Sequence, residues 1–473
     1  MSGGTERLAA GATFTLADVL AATGGELARL GAAVDVRGLA TDTRTLEPGE
    51  LFVAVRGDAH DGHAFLPEAE RRGAGAVLVE RGTDLGDLRC TVIVVRETLA
   101  ALGDVAALHR RRHPIPLLAV AGSNGKTTTK EMLATILRRA YGEAHVVATR
   151  GSQNNLVGLP LTLLRVGSET RVAVLEIGMN APGEVWRLAE IAQPDVGLIT
   201  CIAEEHLQGV GSIRGAAEAN AELYRRLRPT GTAVVNADDP WVRAVAGAFE
   251  GRRVLFGDGG TVRARDVVDD GVGGTRFVLD AAGETRPVQL RVAGRHNVSN
   301  ALAATAAARA VGVPLETIAA GLESFEAPTM RMQVVQLASG VTVLNDCYNA
   351  NPGSMAAALQ TLGASRATRR IAALGEMLEL GPGAADAHRE LGTRAAAAGL
   401  DLLVLVGTHA ERVREGALAG GLAPERIVIA DGHEGMARDL ATILRGGDLL
   451  LLKGSRGAAL ERVLRALQGE PGA

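Results

Sequence analysis

The residues most able to do chemistry lie at Gly122-Ser123-Asn124-Gly125-Lys126-Thr127-Thr128, between the apolar run Leu117 to Ala121 and a helical stretch from Lys126 to Ala140. Glycines there let backbone N–H groups converge on phosphate oxygens, and a helix N-terminus adds positive potential. Lys126 would reach the terminal phosphates, and the Thr127 hydroxyl would hold Mg²⁺. Val120 stands where the common phosphate-loop pattern has its first glycine, so the spacing is a variant. The plainer alternative is a Gly-rich turn with an exposed lysine. Glu176 closes the run Val172 to Ile177, and His206 follows Val196 to Cys201. Both fall at the carboxyl ends of expected central strands, where an open parallel sheet places its ligands. A carboxylate suits Mg²⁺; a histidine taken alone reads as an ordinary loop residue. Asn297 and Asn300 open an Ala-rich helix and share one of its faces. An amide there can serve an adenine edge or cap the helix, and residue chemistry alone favours the cap.

These residues need strands and helices to aim them. The 473-residue length suggests about three domains, and the boundaries fall near the Pro114-Ile115-Pro116 stretch and near residue 328. Residues 1–113 read as mixed α/β, with strands at Leu51 to Val55 and Ala76 to Val79 and helices at His63 to Arg72 and Thr98 to Arg112. Residues 114–327 alternate strand and helix in a way that favours parallel pairing. Residues 253–292 look like added antiparallel strands, with turns at Asp258-Gly259-Gly260 and Gly273-Gly274. Residues 328–473 alternate most regularly, with strands at 341–345, 371–374, 402–406, 427–430 and 448–452, the Rossmann-like pattern. The expected class is therefore α/β in three domains, with a central parallel-sheet phosphate-loop ATPase domain and a C-terminal Rossmann-like domain. The turn at Tyr348-Asn349-Ala350-Asn351 lacks a Gly-x-Gly-x-x-Gly fingerprint, so a dinucleotide site there is unsupported.

Composition removes several classes. A net charge of −4 argues against nucleic acid as partner. Three dispersed cysteines suggest neither a disulfide framework nor a zinc cluster. No run approaches the ~18 apolar residues of a membrane span and no signal peptide is apparent, so a cytoplasmic protein is expected. Aromatics make up 3% of the chain, which leaves the packing to Ala, Leu and Val. Of the 50 basic residues only Lys126, Lys130 and Lys453 are lysines. Codon bias explains most of such a swap, and it makes a surviving lysine informative, because a compact ammonium does work that a planar guanidinium cannot.

In order along the chain, the phosphate loop, Glu176-Ile177-Gly178, His206-Leu207, Gly294-Arg295-His296-Asn297-x-x-Asn300, Arg331 and Lys453-Gly454-Ser455-Arg456 resemble the Mur ligase family. Thr41-Asp42-Thr43-Arg44 and Pro48-Gly49-Glu50-Leu51-Phe52-Val53-Ala54 resemble its UDP-sugar segment, so the likeness covers nearly the whole chain. Asp346-Cys347-Tyr348-Asn349-Ala350-Asn351-Pro352, Gly375-Glu376-Met377-Leu378-Glu379-Leu380-Gly381 and Asn154-Asn155 are similar to the MurF type. No Asn-Pro-Arg selector of the MurE type is present.

The resemblance implies an ATP-dependent amide ligase. It would join D-alanyl-D-alanine to UDP-N-acetylmuramoyl-tripeptide through an acyl phosphate, in peptidoglycan precursor synthesis. It also implies roles. Lys126, Glu176, His206 and Arg331 would be catalytic. Gly122 to Thr128, Asn297, Asn300, Arg331 and Asp346 would bind ATP. Thr41, Asp42, Arg44, Asn154, Asn155, Tyr348, Asn349 and Asn351 would bind the other substrates, and Thr127, Glu176 and His206 would hold Mg²⁺. A monomer is expected. A MurE-like or folylpolyglutamate synthase-like ligase is the alternative within the class; a kinase or P-loop ATPase and a non-catalytic nucleotide-binding module are the alternatives outside it. One departure stands out. Many members carry a carbamylated lysine on the helix after the histidine, and this chain has Asn220 there. Glu204 or Glu205 would restore the missing charge if its loop turns one inward.

Overall fold

The computed structural model describes residues 12–32, 35–57, 60–205 and 207–470, so the expectation placed on His206 lies outside the described residues. The fold is α/β in three sheet-centred domains, with a small two-stranded sheet pairing Thr13–Thr15 with Asp35–Arg37 near the start. The N-terminal five-stranded sheet runs parallel through Leu39–Ala40, Leu51–Val53, Ala76–Glu80 and Thr91–Val95, and Glu26–Arg29 adds an antiparallel edge. Its long helix Thr98–Arg112 buries Leu102 and Val105 in a core that continues into the central domain through Leu159, Leu188 and Ile191. A Cβ on Gly103 would stand 2.6 Å from Ile191 Cδ1, so glycine is what lets this helix approach the helix Glu184–Ala192.

The central sheet has nine strands, and its parallel part follows the order Val146–Ala148, Val172–Glu176, Leu117–Ala121, Val196–Ile199, Thr232–Asn236, Arg252–Phe256. Leu117–Ala121 is buried at every position because helices cover both faces. The chain passes from Val172–Glu176 to Val196–Ile199 across the strand Leu117–Ala121. That crossing makes a switch point at the carboxyl ends, where such sheets bind ligands. One expectation is corrected here. Arg252–Phe256 is not antiparallel; it pairs parallel with Thr232–Asn236, because the helix Pro240–Ala246 carries the chain back between them. The antiparallel pairing begins with Val262–Asp269 against Thr275–Ala281 and continues to Glu284–Leu290. The Ala-rich helix His296–Ala310 is buried nearly all round. Small side chains let it pack closely on the phosphate-loop helix Lys126–Tyr141 where aromatics are scarce.

The third domain is a six-stranded sheet in which Thr342–Asp346, Asp448–Lys453, Arg369–Leu374, Leu402–Leu405 and Ile427–Ile429 run parallel. An antiparallel edge strand, Gln333–Gln336, precedes them and was not anticipated from the sequence. Among the described residues no helix is long and apolar enough to cross a membrane.

Candidate active site

The phosphate loop leaves the strand Leu117–Ala121 through Gly122 (φ 119°) and enters the helix through Gly125 (φ 80°), both in the left-handed region that glycine tolerates. Space demands glycine as well: a Cβ on Gly122 would meet Thr200 Oγ1 at 2.2 Å, and one on Gly125 would meet Asn300 Oδ1 at 2.3 Å. The neighbouring strand end clamps the loop. Thr200 Oγ1 donates to Asn124 O at 2.6 Å, Ser123 N donates to Cys201 O at 2.8 Å, and Ser123 Oγ accepts from Ala203 N at 2.9 Å. Lys126 Nζ donates to Gly122 O, to Ser123 O at 2.9 Å and to Glu205 Oε2 at 3.2 Å. The ammonium is thus folded back over its own loop, in place for phosphate oxygens to displace these acceptors.

Strands on either side of this loop each bring a carboxylate. Glu176 pairs in register with Val120 and is 1% exposed. Asn154 Nδ2 donates to Glu176 Oε1 at 2.8 Å, while the buried Oε2 has no hydrogen-bond partner among the described residues. Thr127 Oγ1 is buried and likewise lacks one. Burying a polar oxygen without a partner costs ~1–3 kcal/mol. A hard, oxygen-seeking cation would relieve that cost at both atoms, so the donors fit Mg²⁺. Glu205, in the loop that follows the strand Val196–Ile199 on the other side, is also buried, whereas its neighbour Glu204 is exposed.

Asn297 and Asn300 are not helix caps; Arg295 occupies that position and makes no side-chain cap bond. Asn297 Nδ2 donates to Ala293 O at 2.8 Å, and Asn300 Nδ2 donates to Asn297 Oδ1 at 2.9 Å. Thr129 Oγ1 completes the chain by donating to Asn300 Oδ1 at 3.2 Å. The pair therefore ties the Ala-rich helix to the phosphate-loop helix.

The third domain closes the opposite wall. Asp346 Oδ2 takes a bond from Lys453 Nζ at 2.6 Å, and Asp346 Oδ1 takes one from Met332 N at 3.0 Å. Lys453 also donates to Asn349 O at 2.9 Å, and the sequence had offered no role for it. Arg331 sits between two residues of left-handed backbone, Met330 (φ 60°) and Met332 (φ 52°), conformations that are sparse for side chains of this size. Its guanidinium stacks 4.0 Å above the Tyr348 ring. Asn351 caps the helix Pro352–Ala364 by accepting from Ser354 N, and its Nδ2 donates to Asn124 Oδ1 of the phosphate loop at 2.8 Å. Asn155 Oδ1 caps a turn by accepting from Gly158 N at 2.8 Å.

Ser123 to Thr128, Asn154, Asn155, Glu176, Glu205, Asn297, Asn300, Arg331, Asp346, Tyr348, Asn349, Asn351 and Lys453 all line one cavity of 610 Å³ between the central and third domains. Thr41, Asp42 and Arg44 do not. They lie in the N-terminal domain after Leu39–Ala40, where Arg44 forks onto Asp42 at 2.6 Å, 85% and 38% exposed respectively. Asn220 does not line the cavity either; it is buried, with its Nδ2 donating to Ala216 O at 2.9 Å. Glu205 was legible only as one of two adjacent candidates.

Known proteins share this arrangement. The Mur ligase middle domain profile matches residues 120–308, the Mur ligase glutamate ligase domain matches 330–456, and the Mur ligase family catalytic domain matches 35–141. The UDP-N-acetylmuramoyl-tripeptide–D-alanyl-D-alanine ligase of Escherichia coli is 36% identical over 96% of this chain and 98% of its own. A crystal structure of MurF from Acinetobacter baumannii superposes with a TM-score of 0.89 at 32% identity, covering 97% of this chain and 100% of that one. The Thermotoga maritima MurF ligase in complex with ADP gives 0.80 at 30% identity, covering 92% and 98%. With its three sheets, its phosphate loop and its interdomain cavity accounted for along almost the entire sequence, this chain belongs to the Mur ligase family, in its MurF branch.

Proposed function

We propose that the protein joins D-alanyl-D-alanine to UDP-N-acetylmuramoyl-tripeptide at the expense of ATP. The observation that carries this reading is the single cavity shared by a phosphate loop on one wall and the neutral Tyr348, Asn349 and Asn351 on the other. A zwitterionic dipeptide asks for hydrogen-bonding groups of that kind more than for net charge. Residues 1–113 would hold the uridine nucleotide, 114–327 the ATP and 328–473 the incoming dipeptide. The protein would work in the cytoplasm as a monomer.

A carboxylate resists attack by an amine because it is a poor electrophile with a poor leaving group. Attack by one of its oxygens on the γ-phosphorus breaks the bond to the β-phosphate oxygen, releasing ADP and leaving an acyl phosphate. The dipeptide amine then adds to the carbonyl carbon, inorganic phosphate departs, and the nitrogen loses a proton. Lys126 would leave its loop carbonyls for the phosphate oxygens and stabilise the charge that shifts during transfer. Arg331, held by Tyr348 and the strained backbone beside it, would approach the same oxygens from the third domain. Asn154 donates to Glu176 Oε1, and Glu176 Oε2 would hold Mg²⁺ together with Thr127 and, by family resemblance, His206. Mg²⁺ bound there would neutralise part of the triphosphate charge. The interdomain position of the cavity also serves the chemistry, since closure would keep water from the acyl phosphate.

The test is ADP release with ATP, Mg²⁺ and UDP-N-acetylmuramoyl-tripeptide, comparing D-alanyl-D-alanine with D-alanine, L-lysine and diaminopimelate. Only the dipeptide should support turnover. A higher kcat/KM with any single amino acid would assign the protein to another branch.

A further inference from the structure

Lys130 is a charge in an expensive place. It lies one turn after Lys126 on the phosphate-loop helix, its side chain is 0% exposed, and it does not line the cavity. Its buried neighbours Met132, Leu133 and Ile136 on that helix are apolar. Taking an ammonium out of water is costly unless it is paired and hydrogen-bonded. Lys130 Nζ donates to Thr149 O at 2.7 Å and to Glu131 Oε1. Glu131 is the next residue in the chain, so the bond that reaches across the structure is the one to Thr149.

Thr149 stands where the chain leaves the edge strand Val146–Ala148, and it is buried. Its N–H donates to Val174 O at 3.0 Å, and its Oγ1 accepts from Glu176 N at 2.9 Å. Further along, Asn154 Nδ2 donates to Glu176 Oε1 at 2.8 Å, and Asn154 O accepts from Gly178 N at 2.9 Å. One segment, residues 149–154, thus holds Glu176 by its backbone and by its side chain. Lys130 ties the first residue of that segment to the helix that carries Thr127. Thr127 Oγ1 and Glu176 Oε2, both buried without a hydrogen-bond partner among the described residues, belong to the two parts that this contact joins.

We propose that Lys130 is a positioning residue for the cation site. It holds the segment 149–154 against the phosphate-loop helix and so sets the spacing of Glu176 from Thr127. The inference rests on the reading that Mg²⁺ binds at those two side chains. A purely electrostatic role would have the opposite sign. An ammonium repels a nearby cation, so removing it as a charge would strengthen Mg²⁺ binding, whereas removing it as a strut weakens that binding. Arginine is no substitute, because its planar fork is larger than the ammonium and does not converge on one carbonyl in a closed site.

Nucleotide binding without turnover separates the two signs. The dissociation constant of ADP is measured by calorimetry on the full chain, from EDTA through a series of free Mg²⁺ concentrations, for the wild type, Lys130→Met, Glu131→Gln and Thr149→Val. The readout is the free Mg²⁺ concentration at which the tightening of ADP binding is half complete. Methionine keeps the length and the helix propensity of lysine and removes the donor. Lys130→Met should leave ADP affinity in EDTA within about twofold of the wild type and raise the Mg²⁺ midpoint roughly tenfold, the scale of one hydrogen bond to a charged group. Glu131→Gln keeps the bond to Thr149 and should keep the wild-type midpoint; a rise matching that of Lys130→Met would overturn the proposal. Thr149→Val is nearly isosteric, removes the acceptor for Glu176 N, and should raise the midpoint as Lys130→Met does. It decides the question if a thermal melt shows the methionine variant unfolded. A lower melting temperature with an unchanged midpoint would overturn the proposal and leave Lys130 a structural residue, and a lowered midpoint would overturn it in favour of charge alone. A wild-type ADP affinity indifferent to Mg²⁺ would overturn the Mg²⁺ reading, and the proposal with it.

Discussion

The hydrogen bond from Asn351 Nδ2 to Asn124 Oδ1, 2.8 Å long, joins the phosphate loop directly to the third domain. Its contribution can be isolated because each partner's other duties are separable. Asn124 uses its backbone carbonyl, not its side chain, to meet Thr200, so Asn124→Ala removes only the amide. Asn351 also caps the helix Pro352–Ala364. Serine caps a helix about as well but is too short to reach Asn124, so Asn351→Ser deletes the interdomain donor and keeps the cap. A net amide hydrogen bond is worth ~0.5–1.5 kcal/mol, which is about a 2- to 13-fold change in a rate or binding constant. If this bond helps hold the two domains in the reactive arrangement, each single variant should lower kcat/KM for the dipeptide by about that factor. The double variant should lose no more than the worse single, a coupling of ~0.5–1.5 kcal/mol in the cycle. The assay is ADP release at saturating ATP and UDP-tripeptide with the dipeptide varied. Effects that add to within ~0.3 kcal/mol would mean the bond carries no catalytic coupling and is only a structural contact between the two domains.

Lys126→Ala should lose ~100-fold or more in kcat. Lys126→Arg should be nearly as poor, because a planar fork cannot fold back over Gly122 and Ser123 as the ammonium does; near-normal turnover in the arginine variant would refute that geometry. Asp42→Ala and Arg44→Ala, at residues that pair with each other and do not line the cavity, should raise KM for the UDP-tripeptide and leave KM for ATP alone; parallel rises in both would overturn the assignment of substrates to domains. Burial of His109 on the inward face of the helix Thr98–Arg112, reinforced by His113 and Arg112, lowers its pKa to about 4 against the opposing effect of its bond to Val166 O. The neutral ring is the folded form, so the unfolded chain takes up the extra proton. Stability from this group is full above pH 6.5 and falls by up to ~1.4 kcal/mol per pH unit down to about pH 4. His109→Gln should flatten the pH dependence of the unfolding midpoint in that window, and an unchanged slope would remove His109 from the account.

The parts of the site that could be read from sequence share a property: their signal is local. A buried strand, two glycines, a lysine and a helix are contiguous, and their geometry follows from backbone sterics. Glu176 was likewise visible because an acidic residue ending an all-apolar run has few places to go except the sheet's carboxyl edge. What sequence could not give was direction across space. Asn297 and Asn300 looked like caps because capping is the commonest local use of asparagine. Their real partner, Thr129, is 171 residues away from Asn300 in the chain. Glu204 and Glu205 are chemically identical neighbours, and only the clamp by Ser123 decides which faces inward. The edge strand Gln333–Gln336 escaped notice because four residues with polar ends carry almost no periodicity. Arg252–Phe256 was assigned the wrong sense because a seven-residue crossover helix is easily mistaken for a loop.

The three lysines have a practical consequence. Lys126, Lys130 and Lys453 have side chains 16%, 0% and 2% exposed, and each donates to a backbone carbonyl, at Ser123, Thr149 and Asn349 respectively. The outside of the described protein therefore offers arginine but hardly any primary amine. Amine-directed reagents will therefore react only slowly with the described part of the chain. Reductive methylation with ¹³C under partly opening conditions would yield three resolvable lysine signals. One would report on the nucleotide loop, one on the underside of its helix and one on the third domain, a spectroscopic readout of all three positions that needs no mutation.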